Sequence, residues 1–445
     1  MQFNRASDTT YEELTQYERG VLRARARWLK SNNPIMKNID RSLINNICRG
    51  MYIRMEDEKE REDFDEWAKS CDKTGRNNFY EMINLSAETR FVDGESFTYK
   101  SYDRSGLKLK IFEPEQIDDS KGVNGVELDG DGKVLAYWIY DNSTKDDFRG
   151  FSNLDSKRVS ADRIINFYKQ ERESQYRGIS EYATAVHDIK NMAAFMSTSI
   201  ESMRARASLS YAVFSETAPR AFGATQEKIQ EINGAMTHYL GVDDKISALD
   251  APTTPINFQE FITAGVRSLC VSRQVSYEFG YRDFSNVNFT SSRAGKIEDN
   301  KTIDAEQILL ELKYIAPILE AYFEARYLMG KAKTRDVPSH TIIFPIREWV
   351  RPLEDLEYNL TLINQGLGTK ESLSRKTTGQ SYESILKQRR AELEMEEKIL
   401  GEYRMIEVDK ERILLKDLKE KRLLEEETLA KEEPNKKEEE TTDED

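Results

Sequence analysis

The sequence predicts an α+β fold that is mainly helical, and three observations carry that reading. A heptad-spaced seam runs from Tyr182 to Ala207, a β-rich stretch lies between about residues 95 and 140, and the chain from Tyr382 to about Glu432 is almost entirely helix-forming and charged. At 445 residues the chain exceeds one ordinary core and has room for two or three domains. Apolar residues make up 38% and charged residues 33%, so the available core must be shared among elongated parts.

Taken in order, roughly 11–100 reads as helical with polar interruptions. Tyr17 to Lys30 is rich in Arg and Ala, and Ile39, Leu43 and Ile47 fall at helical spacing. Glu95–Tyr102 and Leu107–Phe112 then alternate as strands do. Gly125–Leu128, the turn Asp129-Gly130-Asp131-Gly132 and Val134–Tyr140 predict a hairpin. That turn resembles a calcium loop only in its first residues, because the later ligands and the bidentate Glu are missing.

A long helix is predicted from Ser180 to about Ala207. Its seam is Tyr182, Val186, Ile189, Ala193, Met196, Ile200, Met203 and Ala207, in alternating steps of four and three. Such a stripe suits packing on another helix, either within the chain or on a neighbouring copy. A β-prone segment, Leu209–Phe214, leads to Thr254-Pro255, a cap-and-first-turn signal for a second helix running to about Tyr277. A third, from about Thr302 to Met329, contains Pro317 and is expected to bend there. Thr341–Phe344 reads as a strand. Helix resumes over Leu353–Gln365, stops at Gly366-Leu367-Gly368 and restarts with Thr369 as cap. The last residues, from Pro434, form a low-complexity acidic tail that is expected to be disordered.

Several function classes are excluded. No apolar run approaches the roughly 20 residues of a membrane helix, and Met1–Arg5 lack a signal-peptide core, so the chain is expected to stay where it is made. Cys48, Cys71 and Cys270 form no CxxC pair, which excludes a disulfide scaffold and fits a reducing cytosol. His187, His238 and His340 are far apart, and no metalloprotease, serine-hydrolase or metal-spaced motif occurs, so no catalytic residue, metal or cofactor is expected. Gly366-Leu367-Gly368-Thr369-Lys370 lacks phosphate-loop spacing and is better explained as helix stop and restart.

Nucleic-acid contact is the other class. The net charge of −14 opposes tight phosphate binding, although residues 417–445 alone hold 13 acidic and 6 basic residues. Simple solubility explains that acidity equally well. Arg23, Arg25, Arg27 and Lys30 form a basic stripe, and Arg204 and Arg206 close the long helix, where the helix dipole also favours them. Arg347-Glu348-Trp349-Val350-Arg351 sets cations beside an aromatic in a predicted loop, suited to brief contact with a nucleic-acid backbone.

Five stretches, in order over nearly the whole chain, resemble the lambda-like portal family of tailed bacteriophages. They are Arg23-Ala24-Arg25-Ala26-Arg27 with Asn32-Asn33-Pro34 and Ile44-Asn45-Asn46; Gly125–Asp129 with Gly132 and Ala136-Tyr137; Arg177-Gly178-Ile179-Ser180; Val275-Ser276-Tyr277-Glu278 with Asp283-Phe284-Ser285, Asn288-Phe289 and Ser291–Ala294; and Trp349, Pro352, Gly366, Thr369 and Gly379. The chain departs from the family's usual pattern at Ile47–Gly50, Ser160–Asp162 and Asn166.

The resemblance implies a portal fold with wing, long-helix stem, small clip and helical crown. The corresponding segments are 1–179 (wing), 180–208 (stem), 209–254 (clip), 255–280 (stem), 281–346 (wing continuation), 347–354 (tunnel loop), 355–432 (crown) and 433–445 (acidic tail). It also implies a ring, a dodecamer, in the virion at the capsid's portal vertex and in the host cytoplasm during assembly. Double-stranded DNA would pass through without sequence recognition, beside a loop of Arg347, Glu348, Trp349, Val350 and Arg351. Partners would be the large terminase subunit, a head–tail connector or adaptor, and the major capsid protein or scaffold. Tyr182, Val186, Ile189, Met196, Ile200 and Met203 would pack the stem. A non-channel helical scaffold is the rival reading, and a metal-dependent nuclease a third; the β-rich middle and the ordered motifs favour the portal.

Overall fold

The N-terminal helices form where the sequence supplies both a cap and an apolar stripe. In the computed structural model, which describes residues 16–140, 155–208, 230–232, 235–237, 258–285, 288–347, 352–378 and 380–400, α1 spans Gln16–Asn32 and α2 spans Pro34–Ile47. Asn33 caps α2 by accepting from the Ile35 and Met36 amides, and Pro34 begins the helix where no amide hydrogen is needed. Strand β1 (Tyr52–Met55) leads to α3 (Glu58–Ser70) and α4 (Phe79–Asp93). A reciprocal capping box between Asn78 and Glu81 opens α4.

Next come β2 (Glu95–Asp103), β3 (Gly106–Phe112), β4 (Val126–Leu128), β5 (Val134–Tyr140), β6 (Ser156–Ser160) and β7 (Ile164–Tyr168). They make two antiparallel three-stranded sheets, ordered β3-β2-β7 and β4-β5-β6. The predicted hairpin is β4–β5. Asp129 Oδ1 closes its turn by accepting from the amides of Asp131 (3.0 Å) and Lys133 (2.7 Å), so the Asp-Gly-Asp-Gly run is a turn.

Helix α5 spans Val186–Ser208, and a short antiparallel pair follows, β8 (Gln230–Ile232) and β9 (Ala235–Thr237). Then come α6 (Phe258–Ser272), α7 (Tyr277–Tyr281), α8 (Phe289–Leu310), α9 (Ala316–Leu328) and β10 (His340–Ile343). The β-prone Leu209–Phe214 lies outside the described residues. Strand β10 pairs antiparallel with β1, from Tyr52↔Ile343 to Met55↔His340.

Three helix boundaries differ from the sequence reading. The first long helix starts at Val186 rather than Ser180, because residues 178–182 are tied to α4 and β2, as described below. The second ends at Ser272, where the Arg273 and Gln274 amides make turn bonds to Cys270 and Val271 and Gln274 adopts φ 53°. The third starts at Phe289, capped by Asn288, and is not continuous. One wide π-type turn, Glu311–Ile315, separates α8 from α9, so Pro317 falls in the first turn of α9. The wide turn accommodates the hydrogen bond that Pro317 cannot donate.

The chain divides into two units, residues 1–350 and 351–445. The first holds two cores. The larger gathers α1–α4, the start of α5, α6, α8 and α9 around an aromatic cluster in which Phe64, Trp67, Phe79 and Tyr322 lie 4.6–5.8 Å apart. The smaller lies under the strands, where Phe97 stacks on Phe112 at 5.3 Å and meets Tyr137 edge-on at 5.8 Å. In the second unit, α10 (Pro352–Asn364) ends at Gly366 in the left-handed region (φ 73°), and the Leu367 amide reaches back to Leu362 O. Thr369 Oγ1 then accepts from the Ser372 amide to start α11 (Lys370–Thr378), and α12 (Tyr382–Leu400) follows. Helix stop, cap and restart fall where the sequence put them.

Candidate functional site: a buried ionic joint at the base of the helix pair

Helices α5 and α6 pack on each other along one stripe. Phe195 meets Phe261 at 3.9 Å and Phe258 at 5.9 Å, and Ser268 Oγ donates to Asp188 Oδ2 at 2.7 Å. Asp188, Met192 and Phe195 sit at i, i+4 and i+7, a different face from the heptad seam. The seam itself divides. Ile189 is buried, Val186 packs against the same core, and Tyr182 precedes the helix and is fully buried. Met196, Ile200 and Met203 remain 39%, 43% and 58% exposed on the single chain.

The pair is set into the body through residues 177–182 and 273. Gly94 ends α4 in the left-handed region (φ 92°), and a Cβ there would lie 2.2 Å from the Ile179 carbonyl carbon. A Cβ on Gly178 would lie 2.1 Å from Gly94 O. The two glycines therefore let backbone rest on backbone. Gly178 N donates to Glu95 Oε2 (3.0 Å) and Glu181 N to Phe91 O (3.2 Å), which stops helix before Val186.

Two charge clusters flank this contact. In the first, Arg177 is fully buried and forks onto Glu95 (2.7–3.0 Å), while its Nη1 donates to Asp119 Oδ1 and Asn124 O, both at 2.5 Å. Burial alone would raise the Glu95 carboxyl, but Arg177 holds it below its ordinary value. In the second, Glu181 accepts from Arg90 Nη1 (2.8 Å) and Arg273 Nη1 (2.5 Å). Arg90 also pairs with Glu306, Lys169 lies 3.5 Å from Glu306, Arg273 donates to Asp40 Oδ1 (3.1 Å), and the Tyr182 hydroxyl donates to Asp40. Both guanidinium groups lie over the Phe91 ring, at 4.4 and 4.5 Å. Three cations face three carboxylates, so the cluster is balanced. Burial raises the Asp40 carboxyl despite Arg273 and Tyr182; Glu181 is lowered, because Arg273, Arg90 and Lys169 outweigh its burial. A cavity of about 280 Å³ beside the cluster is lined by Lys169, Glu171, Glu181, Arg273, Thr302 and Glu306, among others.

These signs predict an acid limit to stability. Glu95 and Glu181 lie below the ordinary 4.5 in the folded chain, so on acidification the unfolded chain takes up protons first. Their contribution is present above pH 4.5 and is lost as pH falls from there through their folded values. Asp40, raised above 3.8, acts with the opposite sign over its own interval. Urea midpoints between pH 7 and pH 3.5 should fall steeply below 4.5 for the wild type. They should fall less steeply for Glu95→Gln, which is less stable at pH 7; parallel curves would remove Glu95 from the effect.

The structure corrects one sequence expectation. Three of the four cations of the α1 basic stripe are held within the chain and are not free to meet nucleic acid. Arg23 pairs with Glu115 (3.4 Å), Arg27 with Asp93, Glu113 and Glu115 (2.7–3.0 Å), and Lys30 with Glu88 (2.8 Å). Those carboxylates lie more than 50 residues away in sequence, which hid the pairing. Arg25 is exposed, as is Arg204 on α5.

Arg347 donates to Asp304 Oδ1 (2.6 Å), Gln307 Oε1 (3.3 Å) and Asn300 O (3.4 Å), which anchors it on α8. Glu348, Trp349, Val350 and Arg351 lie outside the described residues, as do His238 and the acidic tail. His340 Nδ1 lies 2.9 Å from Pro338 O. The three cysteines are buried, and burial pushes each thiol up to about 12. Among the described residues, no cluster of His, Cys, Asp and Glu is placed to hold a metal, and no helix is long and apolar enough to cross a membrane.

Sequence reasoning missed the joint. Of its residues the sequence marks only Arg177–Ser180, as a motif without a partner, and Tyr182, as a stem-packing residue rather than a partner of Asp40. A signal was present in Arg90-Phe91-Val92 and Asp93-Gly94-Glu95, where charges interrupt an apolar run beside a helix-stopping glycine.

Fold and joint together define a mixed α+β body with a helix pair set into it through buried ion pairs. The chain belongs to the lambda family of phage portal proteins, whose model matches residues 1–307. That family is structural and not enzymatic. The chain is 24% identical to a probable portal protein of Halomonas phage phiHAP-1 over 373 residues, 75% of this chain and 70% of that protein. Among solved structures it is similar to a chain in the neck of an empty gene transfer agent particle (12% identity, 79% of this chain and 92% of that chain, TM-score 0.44). It is also similar to one in the native gene transfer agent virion (11% identity, 84% and 96%, TM-score 0.43).

Proposed function

We propose that this chain forms a closed ring, a dodecamer, at one vertex of a phage capsid, and that the genome enters and leaves through its centre. The observation that carries the reading is family membership over residues 1–307. The half-open seam on α5 supports it: Met196, Ile200 and Met203 form an apolar row that α6 does not cover, and a second copy supplies the missing side.

In this reading α5 and α6 are the stem, residues 209–254 the clip that meets the large terminase subunit and later the head–tail connector, and 355–432 the crown. Residues 347–354 are the tunnel loop, with Arg347 as its anchor on α8 and Trp349 reaching toward DNA. The wing meets the major capsid protein or scaffold. The ring belongs to the virion and is assembled in the host cytoplasm.

The test is the mass of the purified protein by light scattering, followed by negative-stain images of the same peak. Closed rings with a central hole are expected. A rod-like dimer or a filament would overturn the reading in favour of a non-channel scaffold.

A further inference from the structure

We propose that the outer face of α2, joined by Arg282, is a binding strip for the phosphate backbone of duplex DNA. This inference rests on the channel reading above and adds a contact surface outside the tunnel loop. Lys37, Arg41 and Asn45 are exposed at i, i+4 and i+8, and the exposed Arg49 follows, its Nη1 donating to Asn45 Oδ1 at 2.8 Å. They form one ridge about 18 Å long at about 1.5 Å per residue, long enough for its three cations to meet successive phosphates of one strand.

Three features separate this ridge from an ordinary solvated face. First, no acid shares it: Asp40, the one carboxylate of α2, is 1% exposed and turned inward onto Arg273 and Tyr182. Of the neighbouring carboxylates, Glu88 is paired with Lys30, while Asp283, hydrogen-bonded to Ser285, keeps its charge beside Arg282, so the cationic ridge proper is Lys37, Arg41 and Arg49. Arg23 and Arg27 of α1, by contrast, are neutralised within the chain. Second, Lys37 stands near the start of α2, where a cation opposes the helix dipole, so local stability does not explain it; only Arg49, beyond the last turn, has that ordinary account. Third, Arg282 ends α7 in the left-handed region (φ 61°), strained for a residue with a side chain, and its Nη2 donates to Ser42 Oγ at 3.1 Å, which adds a fourth cation beside Arg41.

The ridge is also placed for the task. Gln307 Nε2 donates to Asn46 O (3.0 Å) and Ile47 O (3.3 Å) at the end of α2, and its Oε1 accepts from Arg347. The Arg49 end of the ridge therefore lies near the residue from which the chain enters 348–351. Asn38 Nδ2, donating to Gly280 O at 2.6 Å, fixes α2 against α7.

The experiment is binding of a labelled 30-base-pair duplex to the full chain at several KCl concentrations. The wild type is compared with a Lys37→Gln/Arg41→Gln/Arg49→Gln triple variant and with a Lys331→Gln/Lys333→Gln control. Each lost phosphate contact lowers the slope of log affinity against log salt by about 0.9, so the triple variant should lose about 2.7 while the control keeps the wild-type slope. Equal slopes for wild type and triple variant, or no DNA binding by the wild type, overturn the proposal. So does a triple variant that loses binding to polyglutamate while keeping its DNA slope, which would assign the ridge to an acidic protein segment. Negative-stain images of the same samples keep the two readings apart: rings present with equal slopes sink the ridge alone, and a wild type without rings bears on the channel itself.

Discussion

Arg177→Met is expected to destabilise the folded chain by about 3–5 kcal/mol, a large share of a domain's usual 5–15 kcal/mol. The cost comes less from the lost attraction than from what remains. Glu95 and Asp119, both almost fully buried, would keep their charges with no cation within the fork of Arg177, and Asn124 O would lose its donor. Arg23 lies 3.9 Å from Glu95, too far to replace a bidentate pair. The same change loosens residues 178–181, whose position sets the start of α5. Two measurements check this. The urea midpoint of Arg177→Met should drop sharply, and the Arg177→Met/Glu95→Gln double variant should recover part of the loss by removing the stranded charge. A loss below about 1 kcal/mol would show that Arg177 is not the keystone of the joint.

What the sequence made legible follows from the range of the interactions involved. The hairpin of β4 and β5, the stop at Gly366, the cap at Thr369 and the long helices all depend on residues within one or two turns of each other. The seam was legible because Met196, Ile200 and Met203 keep their spacing whatever covers them. Its division was not, since that depends on Phe195 choosing Phe258 and Phe261 across more than 60 residues. Strand β10 was legible at Thr341–Phe344, but its pairing with β1 joins residues nearly 290 apart, which no local pattern signals. The joint is the extreme case. Arg90, Glu181, Arg273 and Glu306 lie on four segments, and in sequence each is one more charge in a chain where a third of the residues are charged. Arg23 and Arg27 show the same blindness in reverse: they looked like a surface for phosphate and proved to be partners of Asp93, Glu113 and Glu115.

Met196→Asp and Ile200→Asp are expected to leave the single chain folded and to abolish the ring. Both side chains are about two-fifths exposed on the isolated subunit, so a carboxylate there keeps its water, and the lost apolar burial should cost the fold only about 1–2 kcal/mol. If the seam is the subunit interface proposed above, the same position faces a neighbour in the assembled ring. A carboxylate would be taken out of water there among apolar seam residues; for Ile200→Asp, Arg204 one turn on offers partial compensation, so Met196→Asp is the stricter test. A cost of several kcal/mol at each contact is repeated around a closed ring, because every subunit carries the change and every interface is the same. Sedimentation measures the outcome directly, and the urea midpoint of the dissociated chain serves as the folding control. Intact rings in either variant would show that the exposed half of the seam is not an interface. Dissociated but stably folded subunits would assign the long helix two jobs on two faces: Phe195 holding α6, and Met196, Ile200 and Met203 holding the next copy.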